Sequence, residues 1–139
     1  MKRLLPPMLA ALALACDSPS APREGLPVEF TFGVARSETE PAFFAVAADG
    51  AVTVRGSFLV PCNPYEATAR SELDGETLIF RIVGENRDDC PQDVVLSIGY
   101  RAVVRDLAPG PYLVRVIHEW RDVSWEPTTV LESEVRVDL

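Results

Sequence analysis

The single histidine, His118, is the first residue to test for catalytic chemistry, because an imidazole titrates near neutral pH. It alternates with Val114 and Val116, a pattern that predicts an inward-facing strand residue, and a lone histidine in that setting is usually packed in the core. The chain has no Gly-x-Ser-x-Gly elbow, no phosphate-binding glycine loop and no metalloprotease helix motif. We therefore expect no enzymatic activity and no cofactor. A small hydrolase whose residues converge only in three dimensions is the alternative.

A second candidate is the segment 120–127, in which two tryptophans flank a short polar turn. Trp120 and Trp125 could stack on a sugar ring or on a protein surface, because aromatic residues are enriched in binding patches. The alternative is that one or both cover the open end of the fold, as large residues commonly do. We predict binding residues at Trp120, Trp125 and Arg121, with a protein or a glycan as the partner.

An acidic segment at 84–93 offers carboxylate oxygens, the ligands that calcium prefers. Its spacing does not match an EF-hand loop, and Arg87 brings a competing positive charge. We expect a solvated acidic turn and no metal site. Calcium is kept as an alternative, with the ligands Glu85, Asp88, Asp89 and Asp93.

The elements that position these residues follow from a period of two in the apolar pattern. From Val28 onward apolar and polar residues alternate in short runs, and no run keeps a helical period over three turns. The pairs Asp49-Gly50 and Asp74-Gly75 are strong hairpin signals. Short strands spaced by turn residues predict an all-β fold, an antiparallel β-sandwich of about seven or eight strands, over residues 28–139.

The segment 107–116 resembles the Leu-x-Pro-Gly-x-Tyr-x-Val-x-Val signature of immunoglobulin-like and fibronectin-type domains. The resemblance covers about ten residues and implies an immunoglobulin-like sandwich. It also implies that the hydroxyl of Tyr112 bonds to nearby backbone and anchors a corner. The cysteine–tryptophan–cysteine spacing of antibody domains is absent, because neither Trp120 nor Trp125 lies between Cys62 and Cys90.

The first residues have the layout of a cleavable export signal. Lys2 and Arg3 precede an uncharged apolar stretch that is too short to span a bilayer. The run Leu-Ala-Leu-Ala before Cys16 resembles the lipobox of bacterial lipoproteins, which implies cleavage before Cys16 and a lipid on that cysteine. We predict a signal peptide at 1–15, a lipidated cysteine with a flexible proline-rich linker at 16–27, and one domain at 28–139.

Two further cysteines remain if Cys16 carries lipid. Cys62 and Cys90 then form a pair in an oxidising compartment, and a disulfide between them would contribute about 3.5 kcal/mol in the chain-entropy model. The alternatives are two free buried thiols in a cytosolic protein or, with less support, a metal site. One histidine and two cysteines do not complete the usual four-ligand zinc site without a carboxylate.

The net charge of the chain limits which classes of partner it can bind. The net charge is −8, and removing Lys2 and Arg3 makes it more negative, which excludes the basic footprint that nucleic acids need. Contact with a membrane would then depend on the lipid alone. We expect a non-enzymatic binding or adhesion module of the bacterial cell envelope, lipid-anchored to the inner or outer membrane and facing the periplasm or the exterior. An accessory subunit of an envelope complex is the alternative, with an envelope hydrolase as a third reading.

Overall fold

The computed structural model describes residues 23–35, 38–62, 65–85 and 95–138. Within these ranges the chain forms strands and no helix. The nine strands are β1 (Arg23–Leu26), β2 (Glu29–Phe32), β3 (Phe44–Ala48), β4 (Ala51–Val60), β5 (Glu66–Asp74), β6 (Thr77–Glu85), β7 (Leu96–Val104), β8 (Gly110–Trp120) and β9 (Thr128–Val137).

Two sheets make up the fold, one of five strands in the order β1-β5-β6-β8-β9 and one of four in the order β2-β7-β4-β3. The prediction of an all-β sandwich is confirmed. The described ranges hold nine strands rather than seven or eight, and one of the additions is a correction to the predicted linker. Residues 23–26 were assigned to the flexible segment 16–27, but they form β1 and pair with β5. Ordered structure therefore begins before Val28.

One continuous segment supplies one edge strand of each sheet. β1 pairs with β5 of the five-stranded sheet, and β2 pairs with β7 of the four-stranded sheet. Between them lies Pro27, which has no N–H group to continue a ladder of hydrogen bonds. Gly25 just before it has a φ of 75°, within a shift of register in the β1–β5 pair. The chain thus changes sheets where its backbone can no longer pair.

The pair β6–β8 is parallel, whereas the other strand pairs of the described ranges are antiparallel. An entirely antiparallel sandwich was expected from the sequence. The difference arises because β7 lies in the opposite sheet, so the chain crosses the sandwich twice between β6 and β8. After two reversals, β8 runs beside β6 in the same direction.

The core lies between the sheets and is built from the alternate residues that the period of two predicts. In β4 the even-numbered positions face inward and the odd-numbered ones are partly or fully exposed apart from Ala51. The largest fully buried side chains come from both sheets: Tyr100, Phe58, Phe80, Leu78, Ile82, Val52, Val54, Val60, Val103, Val104, Val114 and Val116.

Two local predictions about turns are confirmed. Asp49 and Gly50 both have positive φ, 53° and 74°, and join β3 to β4 in a two-residue hairpin. At the start of β8 the hydroxyl of Tyr112 donates a hydrogen bond of 2.6 Å to the carbonyl oxygen of Ala108. This is the corner contact that the resemblance to immunoglobulin-like domains implies.

Candidate functional site

The described part of the acidic segment, Gly84 and Glu85, and the segment 120–127 lie at one end of the sandwich. The strand pairing places the last residues of β4, β6 and β8 beside the first residues of β5, β7 and β9. We call this region the tryptophan end, and its described residues are 59–62, 65, 84–85, 95–96 and 120–128. The opposite end carries the hairpin turns at 49–50 and 75–76, the segment 105–109 and the start of β1.

Trp120 is built into the fold at the tryptophan end. Its indole Nε1 donates a hydrogen bond of 2.8 Å to the carbonyl oxygen of Leu59, in the opposite sheet. Its ring stacks on Phe58, with 5.2 Å between the ring centroids and 29° between the planes. Trp120 therefore covers the end of the core, as the structural alternative in the sequence analysis described. The indole N–H is already used and is not free for a ligand.

Trp125 forms a second layer over Trp120. The two rings meet edge to face, with centroids 5.3 Å apart and planes at 80°. Trp125 is half-buried, and neighbouring positions 124 and 126 are exposed. Of the two predicted binding tryptophans, Trp125 is therefore the one that a partner can reach without dismantling the core.

Arg121 and Glu85 lie together at this end. The guanidinium Nη1 of Arg121 is 3.7 Å from Oε2 of Glu85, and both side chains are 58% exposed. The backbone N–H of Arg121 also donates a hydrogen bond of 3.1 Å to the carbonyl oxygen of Gly84. Arg121, a predicted binding residue, thus forms an ion pair with Glu85, which is one of the alternative calcium ligands.

The other calcium candidates, Asp88, Asp89 and Asp93, lie outside the described residues. Across the part of the chain that the structure describes, no group of three or more histidine, cysteine, aspartate or glutamate side chains is placed to hold a metal ion. The calcium alternative therefore gains no support from the residues whose positions are known.

Tyr65 joins the segment after β4 to the loop between β8 and β9. Its hydroxyl donates a hydrogen bond of 2.7 Å to Oδ1 of Asp122. Burial, together with the Asp122 carboxylate, raises the pKa of the Tyr65 phenol, so the hydroxyl remains a donor under all ordinary conditions. The sequence did not predict this contact, because its two residues are 57 positions apart.

Cys62 lies in the segment that Tyr65 holds, and its side chain is buried. The two other cysteines, Cys16 and Cys90, lie outside the described residues. The predicted pairing of Cys62 with Cys90 and the predicted lipidation of Cys16 therefore stay predictions.

His118 faces the core, as its alternation with two valines predicted, and is 2% exposed. Its Nε2 lies 2.8 Å from the hydroxyl of Tyr100, which comes from β7 in the opposite sheet. Burial lowers the pKa of His118 to about 4. The ring is therefore neutral near pH 7.

Four aromatic rings surround His118, and we call this set the aromatic cage. The ring centroids lie 4.9 to 6.2 Å from that of the histidine and belong to Phe58, Tyr100, Phe43 and Trp120. A cavity of about 10 Å³, lined in part by Tyr100, Gly56 and Arg55, lies beside the cage and has room for about one water molecule. A substrate has no path to the His118 ring in this arrangement.

The rim of the tryptophan end exposes aliphatic side chains. Leu59 is 47% exposed, Val95 55% and Leu96 39%. The only other large hydrophobic side chain of comparable exposure in the described ranges is Val46, on β3. Exposed apolar groups beside a half-buried tryptophan are typical of a surface that contacts another molecule.

Within the described ranges, no helix is both long and apolar enough to cross a membrane. Comparison with known proteins does not add to the assignment: no family model, no curated protein and no solved structure matches this chain.

Proposed function

We propose that this protein is a lipid-anchored, non-enzymatic binding module of the bacterial cell envelope whose tryptophan end takes a protein or glycan partner. The observation that carries the proposal is the position of Trp125 relative to the start of β1. The half-exposed tryptophan and the aliphatic rim lie at one end of the sandwich, and the chain joins the sandwich at the other.

The separation of the two ends follows from the strand lengths. Arg23 is paired with Leu73, next to the hairpin turn that follows β5. Strand β4 runs the length of the sandwich with ten residues, which at about 3.3 Å per residue is roughly 33 Å. A lipid on Cys16 would therefore hold the opposite end toward the membrane and present Trp125 away from it.

The charge at the opposite end supports a tethered rather than an adsorbed domain. Its described acidic side chains are Asp49, Asp74, Glu76, Asp106 and Asp138. Anionic lipid headgroups repel such a surface, so the lipid would supply the membrane affinity while the linker keeps the domain off the bilayer.

The proposal includes a disulfide between Cys62 and Cys90. If Cys16 carries the lipid, Cys90 is the cysteine left to pair with Cys62. Such a bond would tie the segment after β4 to the connection between β6 and β7, at the end where Tyr65 already holds Asp122. It would pre-order the surface that we assign to the partner, which lowers the entropic cost of binding.

The burial of His118 supports the absence of catalysis in this proposal. A general base must reach the proton that it abstracts, directly or through one water. His118 is 2% exposed, and the cavity next to its partner Tyr100 holds about one water molecule. The larger depressions, of about 520 and 620 Å³, are lined by other residues, near Arg81 and near Asp49.

A second candidate, an accessory subunit that docks through a sheet edge, is favoured by the start of β7. The ladder between β2 and β7 ends at Tyr100, and Gly99 accepts the N–H groups of Gly33 and Val34. Among the described residues, none pairs with β7 on this side before Gly99. A partner strand could extend the sheet there, beside the exposed side chains of Val95 and Leu96.

Site-specific photocrosslinking in the native envelope tests the assignment of the tryptophan end. A benzophenone amino acid at position 125 should form a defined adduct, and the same group at position 76, exposed at the opposite end, should not. Position 97 reports on the alternative edge of β7. Adducts at 76 and 125 alike, or at 97 alone, would contradict the assignment.

The anchor is tested separately by intact mass and fractionation. The native protein should start at Cys16 with acyl chains attached, and Cys16→Ser should move it out of the membrane fraction. A full-length unlipidated chain would overturn the anchor and leave the crosslinking result unaffected.

A further inference from the structure

Within the aromatic cage, the hydrogen bond between Tyr100 of one sheet and His118 of the other depends on the protonation state of the His118 ring. With Nε2 of His118 unprotonated, the Tyr100 hydroxyl donates to it across 2.8 Å. Burial raises the pKa of the Tyr100 phenol, so this hydroxyl keeps its proton. A second proton on the imidazole makes Nε2 a donor, so the Tyr100 hydroxyl must accept from it and turn its own proton away from the ring.

The aromatic groups that contact the ring carry no formal negative charge. Phe43 and Phe58 contribute apolar rings, and the indole N–H of Trp120 is a donor bonded to Leu59. The residues of β6 and β9 at the same register are Ile82 and Thr128, which carry no charge.

Tyr100 is the titratable side chain that touches His118 among the described residues. Arg55 and Glu40 line the small cavity beside Tyr100, where they form an ion pair with each other at 3.2 Å. Glu119, the residue after His118, points to the outer face of the sheet and pairs with Arg81. Among the described residues, no carboxylate contacts the ring to hold the second proton in place.

Gly56 shows how closely the cage is fitted. A Cβ atom at this position would lie 2.6 Å from the Tyr100 hydroxyl and 2.7 Å from a ring carbon of Phe43. The rings of Tyr100 and Phe43 can take their positions only because this inward-facing position of β4 has no side chain. The aromatic cage therefore has little free space, so it can adjust to a charged imidazole only if one of its aromatic rings moves.

Trp120 belongs to the aromatic cage and also contacts Trp125 in the proposed binding surface. Trp120 lies 6.2 Å from His118 by ring centroids and contacts Trp125 on its other side at 5.3 Å. If Trp120 shifts away from His118, the ring that Trp125 packs against moves, and Trp125 must change its position as well.

We propose that His118 is an acid sensor for the tryptophan end: when its ring gains a second proton, the cage opens and Trp120 and Trp125 leave the positions that they hold at neutral pH. The regulatory part of this inference rests on the proposed function of that end. The structural part, the displacement of the tryptophans, stands without it.

The pKa of His118 in the closed cage and its pKa in water set the limits for the midpoint of the transition. The closed cage lowers the pKa of His118 to about 4. An imidazole exposed to water titrates near about 6.5. A cage that opens on protonation should therefore titrate between these two values, and it should return to its starting state when the pH is raised.

The chain reports on this transition with its own residues. His118 is the only histidine, so its ring resonances in a tag-free full-length protein follow a single titration. Both tryptophans of the chain lie at the tryptophan end, so intrinsic emission reports on that end. We expect the histidine titration and a change in tryptophan emission to share one midpoint between pH 4 and 6.5, while far-ultraviolet circular dichroism remains that of the folded sheets.

The matched control is His118→Gln, which keeps a hydrogen-bonding side chain and does not titrate. Its emission should be unchanged through this range. An emission change that persists in His118→Gln, or a histidine titration with no change in emission, would overturn the inference. If the variant does not fold, the coincidence of the two midpoints in the unmodified protein decides the question.

The regulatory arm uses the photocrosslinker at position 125. Adducts formed at pH 7 should decrease below the midpoint in the unmodified protein and persist in His118→Gln. An absence of adducts at every pH contradicts the proposed function while the spectroscopic transition remains. Adducts that persist at low pH in both proteins contradict the regulation alone.

Discussion

The hydroxyl of Tyr65 donates a hydrogen bond of 2.7 Å to Oδ1 of Asp122, and this contact joins two connections that lie 57 residues apart in the chain. One connection follows β4 and contains Cys62, and the other carries Trp125. The tryptophan end is therefore held by a side-chain contact in addition to the strands below it. Its conformation depends on both connections.

Tyr65→Phe should loosen the loop that carries Trp125. The change removes one hydrogen bond to a carboxylate that can still meet water, so we expect a loss of about 1 kcal/mol in the free energy of unfolding. Hydrogen exchange at residues 121–127 should accelerate, because the loop loses its contact with the segment after β4. Urea denaturation and exchange measured by mass spectrometry check the two effects.

Tyr112→Phe is the matched control for that experiment. It removes the 2.6 Å hydrogen bond to Ala108, on the segment 105–109 at the opposite end. The loss in stability should be similar, while exchange at residues 121–127 should keep its original rate. Equal acceleration in both variants would mean that the loop responds to global stability and not to the Tyr65 contact.

Stability should decrease as the pH falls below neutrality. The pKa of His118 is about 4 in the folded protein and about 6.5 in the unfolded chain, so between these values the unfolded chain binds the extra proton. The contribution of His118 is complete above about pH 6.5 and falls by up to about 3 kcal/mol as the pH approaches 4.

Urea unfolding at pH 7, 5 and 4 measures this dependence. Carboxyl groups titrate in the same range, so the informative quantity is the difference between the unmodified protein and His118→Gln. The difference in the free energy of unfolding between the two proteins should change by up to about 3 kcal/mol between pH 7 and pH 4. Parallel curves for the two proteins would show that His118 is protonated equally well in the folded and unfolded states.

Arg81 should contribute more to stability than the other arginines of the five-stranded sheet. Its guanidinium lies 2.8 Å from both Glu72 on β5 and Glu119 on β8, and its side chain is 29% exposed. Arg81→Ala leaves two carboxylates on neighbouring strands without their shared cation, at a cost of about 1 to 2 kcal/mol. The loss should shrink in concentrated salt, which screens the remaining repulsion.

Arg115→Ala is the corresponding control on the same face. Arg115 forms one ion pair, with Glu132 at 2.8 Å, and both side chains are more exposed than those around Arg81. An exposed single pair contributes about 0.5 kcal/mol or less. Thermal unfolding of both variants at low and high salt compares them, and equal effects would argue against a special role for Arg81.

Gly56→Ala should destabilise the fold by about 2 kcal/mol, the range for overpacking a core. Its Cβ would approach the Tyr100 hydroxyl to 2.6 Å, so the contact between Tyr100 and His118 must shift. Ser57→Ala changes the adjacent residue, which faces the outer side of β4, and should have little effect. Chemical denaturation of both variants checks the difference, and a neutral Gly56→Ala would show that the cage has spare room.

The sequence alone determined the features that depend on neighbouring residues. Alternation along each strand selected the inward positions of β4 and β8, and Asp49-Gly50 specified a hairpin because both residues tolerate positive φ. The corner at Tyr112 was also predictable, since its partner Ala108 lies four residues away. These features arise from local backbone geometry, which a short stretch of residues encodes.

The contacts between distant segments could not be read from local sequence patterns. The residue opposite His118 is Tyr100, the acceptor for the Trp120 indole is Leu59, and the residues of a presumed linker pair with β5. Period-two alternation says which face of a strand is buried but not which strand lies next to it or across from it. Strand order and the way the two sheets face each other are set by packing between residues far apart in the chain. The aromatic cage and the contact between Tyr65 and Asp122 are therefore visible only in the fold.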